Sequence, residues 1–171
     1  MYMAPEMDAG DIISVRKTPI DPRETSQELL DRLAQIGANL LCQTVEEIEN
    51  GTAKRTPQDA AQATYAPMLT KEMSPINWEN SYRQIINQVR GLIPWPVATT
   101  ELKGKRFKIF QVEPAGYSTE KKPGTLLQLS KKGLEVACGD GQVLVITQLQ
   151  AEGGKRMAAS DYFRGHPIVL D

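Results

Sequence analysis

Met7-Asp8-Ala9-Gly10-Asp11 sets two carboxylates around a glycine, directly before an apolar run. A loop carboxylate in such a place can take or return a proton during acyl transfer. The same pattern also closes an ordinary turn, for which Asp and Gly are favoured residues. Few other residues could join it in catalysis. The single histidine, His166, lies beside Pro167, and the two cysteines, Cys42 and Cys138, share no CxxC spacing. No nucleophile–His–acid set, P-loop, dinucleotide fingerprint or zinc spacing can be built from these residues. Reduced thiols in a cytoplasmic protein are therefore expected. Met1 to Gly10 has neither a basic stretch nor an apolar core of the secretory kind, so a leader is not expected there.

The second kind of chemistry is charge. Residues 1–74 hold 7 Lys and Arg against 12 Asp and Glu, a balance of −5; residues 75–171 hold 13 against 9, a balance of +4. A basic half on an acidic partner suits contact with a polyanion. The basic set of its strand-rich part is Lys103, Lys105, Arg106, Lys108, Lys121, Lys122, Lys131, Lys132, Lys155 and Arg156. Lysine and arginine bind phosphates by displacing counterions, which makes affinity fall with salt. Loop lysines also serve solubility alone. Both tryptophans, Trp78 and Trp95, fall between Ala63 and Pro96, where the two halves meet. Large aromatics anchor packing, and an exposed one can stack on a base; packing is the plainer expectation here.

These groups need elements to hold them. Ile12–Val15 reads as a short strand. Thr25-Ser26-Gln27-Glu28 forms a capping box pattern. Leu29, Leu33, Ile36, Leu40 and Ile48 then recur near the helical period, up to a stop at Gly51. A helix over 26–50 follows, with Gly37 inside it at a place where close packing is expected. Residues 51–75 show no periodicity. Ser81 caps a second helix that carries Tyr82, Ile85, Ile86, Val89 and Leu92 and closes at Gly91 and Pro94. Beyond Pro96 the period becomes two. Strands are expected at 97–102, 106–112, 124–129, 134–137 and 143–150, with Gly139-Asp140-Gly141 as a hairpin turn. Ser160-Asp161 opens a closing turn through Arg164. Five short strands in a basic unit suggest a small OB-like β-barrel.

The order of these pieces resembles the C-terminal part of the methionyl-tRNA formyltransferase family. The matching stretches are Met7 to Ile12, Gln58-Asp59, Ala63-Thr64-Tyr65-Ala66, Leu69-Thr70-Lys71-Glu72, Ile76-Asn77-Trp78 and Pro94-Trp95-Pro96. Gly133-Leu134, Val136 to Gly141, Leu149-Gln150 and Gly154-Lys155-Arg156-Met157 continue the match. The resemblance implies an α+β chain. Residues 1–50 would be the last strand and helix of a Rossmann-like formyltransferase domain, 51–75 a linker, and 76–171 an OB-like tRNA-binding domain. It implies 10-formyltetrahydrofolate as formyl donor to the whole enzyme and the α-amine of methionine on initiator tRNA as acceptor. Of the family's catalytic asparagine, histidine and aspartate, only the aspartate has a counterpart here, at Asp8; the Asn-x-His segment does not occur in this sequence. The chain by itself is therefore expected to be inactive and to hold folate weakly. Its implied partners are initiator Met-tRNA and the other half of the catalytic domain, with self-association through an exposed helix 26–50. The tRNA contacts are expected at Lys103, Lys105, Arg106, Lys108, Lys155 and Arg156, with Lys54 and Arg55 behind them. A sugar-nucleotide formyltransferase and a non-enzymatic RNA-binding module are the alternative readings.

Overall fold

The computed structural model describes residues 1–171. They divide into two units, Met1–Met68 and Leu69–Asp171.

In the first unit, α1 (Ser26–Glu49) starts where the capping box places it. The Thr25 hydroxyl accepts from the Glu28 N–H at 3.3 Å, and the Glu28 carboxylate accepts from the Thr25 N–H at 2.8 Å. Those backbone and hydroxyl donors from Thr25 hold the Glu28 carboxyl below its usual value. Arg32 ties α1 to the preceding loop: it grips both Glu24 oxygens at 2.8 Å and donates to the Pro19 carbonyl and the Thr18 hydroxyl. The strand expected at 12–15 is reduced to one antiparallel bridge between Ile12 and Thr56. The unit offers it no neighbouring strand along which pairing could extend. Gly37 meets nothing within 4 Å, so no close packing explains it. Two single 3-10 turns follow, Ala60–Gln62 here and Lys71–Met73 in the second unit.

The second unit is a six-stranded antiparallel sheet with helices packed on it. The strands are β1 (Ala98–Leu102), β2 (Lys105–Ser118), β3 (Leu126–Leu129), β4 (Leu134–Ala137), β5 (Gln142–Ala151) and β6 (Met157–Ala158). They lie in the order β1-β2-β5-β4-β3, with β6 on β5. The hydrogen-bonded ladder does not close on itself, and it has six strands where five were expected. β2 is longer than expected because it continues through Pro114, which faces Leu144. Bulges near Ile109–Val112 and after Pro114 let the strand bend rather than end.

Alternation along β2 sends Phe107 and Ile109 into the core and Arg106 and Lys108 to the outside. The core joins these to Leu134, Val136, Leu144, Ile146 and Leu149, to Ile85 and Val89 of α2 (Tyr82–Gly91), and to Phe163 of α3 (Ala159–Gly165). Phe107 meets Tyr162 edge-on, with ring centres 5.4 Å apart. Cys138 lies in this core, and burial pushes its thiol up to about 12. The 139–141 turn forms as expected. A Cβ on Gly139 would stand 1.7 Å from the Glu79 carbonyl oxygen, so only glycine lets the two backbones meet. Asp140 then accepts from the Tyr82 N–H at the start of α2.

The two tryptophans part company. Trp78 is half-buried and donates to Thr100 Oγ1 at 3.0 Å. Trp95 is 51% exposed on the corner after α2, contrary to the packing expectation. The tight turn back from Leu92 to Val97 directs the chain into β1 but leaves that ring outside. No helix is long and apolar enough to cross a membrane.

Candidate nucleic-acid interface

Arg106 and Lys108 project outward from β2 beside Phe110. The register steps from Ile109↔Leu149 to Gln111↔Gln148, which makes Phe110 the extra residue of the bulge. Arg156, just before β6, lies over that ring with its guanidinium carbon 4.5 Å from the centroid. Its Nε and Nη2 both donate to Gln148 Oε1, at 2.9 and 2.6 Å. Gln150 faces Lys108 across the ladder and donates to the Gly154 carbonyl, fastening the 152–156 turn. One sheet face thus gathers Arg106, Lys108 and Arg156, with Lys155 exposed next in chain. Glu101 lies opposite Arg106 in the β1–β2 register and offsets part of its charge.

The other expected cations are placed differently. Lys103 and Lys105 sit at the β1–β2 turn, and Lys103 is ion-paired to Asp171. The Asp171 carboxylate also accepts from the Leu126 N–H at 2.9 Å, and that bond, then Lys103, holds its carboxyl below the ordinary range. Lys54 and Arg55 belong to the first unit. Arg55 is engaged within it, 3.3 Å from Asp11 and 4.2 Å above the Tyr2 ring.

Glu135, 6% exposed, accepts from the Tyr117 hydroxyl at 2.5 Å and from Gln128 Nε2 at 2.7 Å. Burial first, then the hydrogen bond to Glu135, raises the Tyr117 pKa. Phe110, Gln148 and Gln150 escaped the sequence reading. Plain alternation from Arg106 and Lys108 places Phe110 on the outer face, but its pairing with Arg156 needs the fold. The two glutamines need the β2–β5 register.

Asp8 is exposed in a left-handed turn, φ 57°, which aspartate tolerates. Gln58 Nε2 braces that turn by donating to the Asp8 and Gly10 carbonyls at 2.7 and 2.8 Å. A Cβ on Gly10 would stand 1.8 Å from the Tyr2 carbonyl, so the close approach needs glycine. Met7 beside it is 91% exposed. The open cleft of this unit, lined by Arg16, Lys17, Ile36, Asn39, Leu40 and Gln43 among others, does not include Asp8. An exposed carboxylate without an enclosing wall does not by itself fit a folate site. No three His, Cys, Asp or Glu side chains converge as metal ligands.

The second unit is thus an antiparallel sheet with helices on its core side and cations on its outer side, and it follows a unit built around one long helix. The chain belongs to the formyltransferase family: residues 68–167 match the formyl transferase C-terminal domain. Over nearly the whole chain, 169 residues are 46% identical to the methionyl-tRNA formyltransferase of Moorella thermoacetica, covering 99% of this chain and 54% of that protein. The chain thus spans about half the length of the curated relatives it matches, and it corresponds to their C-terminal portion. Among solved structures, a HypX variant from Aquifex aeolicus superposes with a TM-score of 0.68 at 20% identity, over 98% of this chain and 31% of that one. The N-formyltransferase from Helicobacter canadensis, solved with folinic acid and dTDP-3-aminofucose, gives 0.63 at 17% identity, over 84% and 52%. Those two likenesses concern the fold.

Proposed function

We propose that this chain is the tRNA-holding part of a methionyl-tRNA formyltransferase that acts in the cytoplasm. In that reading, residues 1–50 complete the catalytic domain, 51–75 are the linker and 76–171 form an OB-like module that binds initiator Met-tRNA. The whole enzyme moves a formyl group from 10-formyltetrahydrofolate to the methionine amine. The observation that carries the reading is the gathering of Arg106, Lys108 and Arg156 on one outer sheet face, in a chain so similar to these enzymes. Lys105 and Lys155 at neighbouring turns widen the positive surface; Lys103, ion-paired to Asp171, and Lys54 and Arg55 of the first unit, where Arg55 is paired with Asp11, are the further candidate contacts. Asp8 is the one catalytic candidate. Acyl transfer also needs donors placed on the developing oxyanion, and a single exposed acid provides none. The chain alone therefore does not formylate.

Filter binding to initiator tRNA at several salt concentrations tests the module. Each phosphate neutralised adds about −0.7 to −0.9 to the slope of log affinity on log salt. Three to five contacts thus predict a slope of roughly −2 to −4.5. Absence of affinity at low salt would sink the reading. A formylation assay on the same preparation should show no turnover, and normal turnover would refute the inactivity.

A further inference from the structure

Arg156 differs from every other cation on this surface. Its guanidinium is held on one side by Phe110 and along one edge by Gln148. Both anchors adjoin the core. Phe110 sits in a bulge next to fully buried Ile109, and Gln148 precedes fully buried Leu149. One of the two fork edges of the guanidinium, Nε with Nη2, is spent on Gln148, which fixes the plane of the group. Because the residue is exposed, its second flat face remains open alongside the Nη1 donors. A flat, cationic, preorganised face suits a nucleobase, because bases stack on guanidinium planes and on aromatic rings.

We propose that the Phe110–Arg156 pair is a stacking platform for an unpaired nucleobase of the bound RNA. Gln148 is its positioning residue, and Lys108 and Arg106 hold the adjoining phosphates. This assignment rests on the tRNA-binding reading and specifies what part of an RNA the face takes. Order matters to the energetics. The plane is fixed before the base arrives, so little side-chain freedom is lost on binding. A lysine at 156 would keep the charge but lose the plane.

The test uses the full chain and its Arg156→Lys, Arg156→Ala and Lys108→Ala variants, each checked for an unchanged melting profile. The probes are initiator tRNA, a short single-stranded RNA and the same strand made abasic. Stacking of one base predicts that Arg156→Lys binds tRNA and the normal strand about 5- to 150-fold more weakly. The salt slope should stay the same, and the abasic strand should bind wild type and Arg156→Lys alike. Lys108→Ala should instead weaken all three probes and lower the slope by about 0.7 to 0.9. Wild-type affinity in Arg156→Lys would overturn the platform, as would an equal loss on the abasic strand. If the normal strand shows the Arg156 dependence but tRNA does not bind, the platform stands and the tRNA reading falls. If the wild type binds none of the probes, both fall.

Discussion

At the scale of single residues, Val97 carries the clearest tension. It opens the path into β1 with φ 69° and is 5% exposed. A β-branched residue in the left-handed region is strained by about 1–3 kcal/mol, while burying its side chain returns roughly 1.5–3 kcal/mol. Two truncations separate these effects. Val97→Ala gives up the burial and keeps the strain. Val97→Gly gives up both. Alanine ordinarily exceeds glycine in stability by about 0.5–1 kcal/mol. Here urea unfolding should show the reverse, with glycine ahead by about 1 kcal/mol. The ordinary order would mean that the backbone at 97 is relaxed. Residue chemistry of this kind was partly legible beforehand. Asp8 and Gly10 read as a turn, and they form one. Trp95 did not read as exposed, because its burial depends on how the corner between α2 and β1 points the ring, and no residue type encodes that.

At the scale of elements, the helix starts were legible because capping is local. Thr25 with Glu28 and Ser81 with Gln84 close reciprocal boxes at the expected places. The strands were legible in number and place up to two points. β6 is too short to show a period, and β2 hid its length behind Pro114, which a bulged strand accommodates. The order of strands in the sheet could not be read, since alternation marks faces and not neighbours. The surface of α1 has a consequence of its own. Leu30, Leu33, Leu41, Val45 and Ile48 are all exposed along a helix whose period is otherwise amphipathic. Contiguous apolar surface of this kind drives association. Sedimentation velocity should show concentration-dependent self-association of the chain, weakened in Leu41→Glu. A single monomeric species across the range, identical in both proteins, would rule out α1 as a sticky face.

At the scale of the whole molecule, the charge asymmetry and the core coincide. Every buried hydrophobic residue lies between Ile76 and Phe163, while the acidic first unit buries only Gly10 and Thr44. The basic unit therefore combines the cations with the rigid support a binding face requires. The same partition sets local stability. Segments open at low free-energy cost where few apolar contacts must be broken, and at a cost near the global value where the core is dense. Proteases act on such openings. Trypsin has exposed basic residues in both units, among them Arg16, Lys17, Lys54 and Arg55 in the first and Lys105, Arg106, Lys121 and Lys132 in the second. Target chemistry alone therefore does not favour either unit. The difference must come from opening: Lys105 and Arg106 belong to a strand anchored by buried Phe107 and Ile109, whereas Arg16 and Lys17 lie in a loop with no buried apolar neighbour in sequence. Limited trypsinolysis followed by mass spectrometry should show cuts within residues 1–60 well before any within 97–160, leaving a resistant fragment that contains all six strands. Equal rates in both regions would mean that the first unit is held by something other than an apolar core.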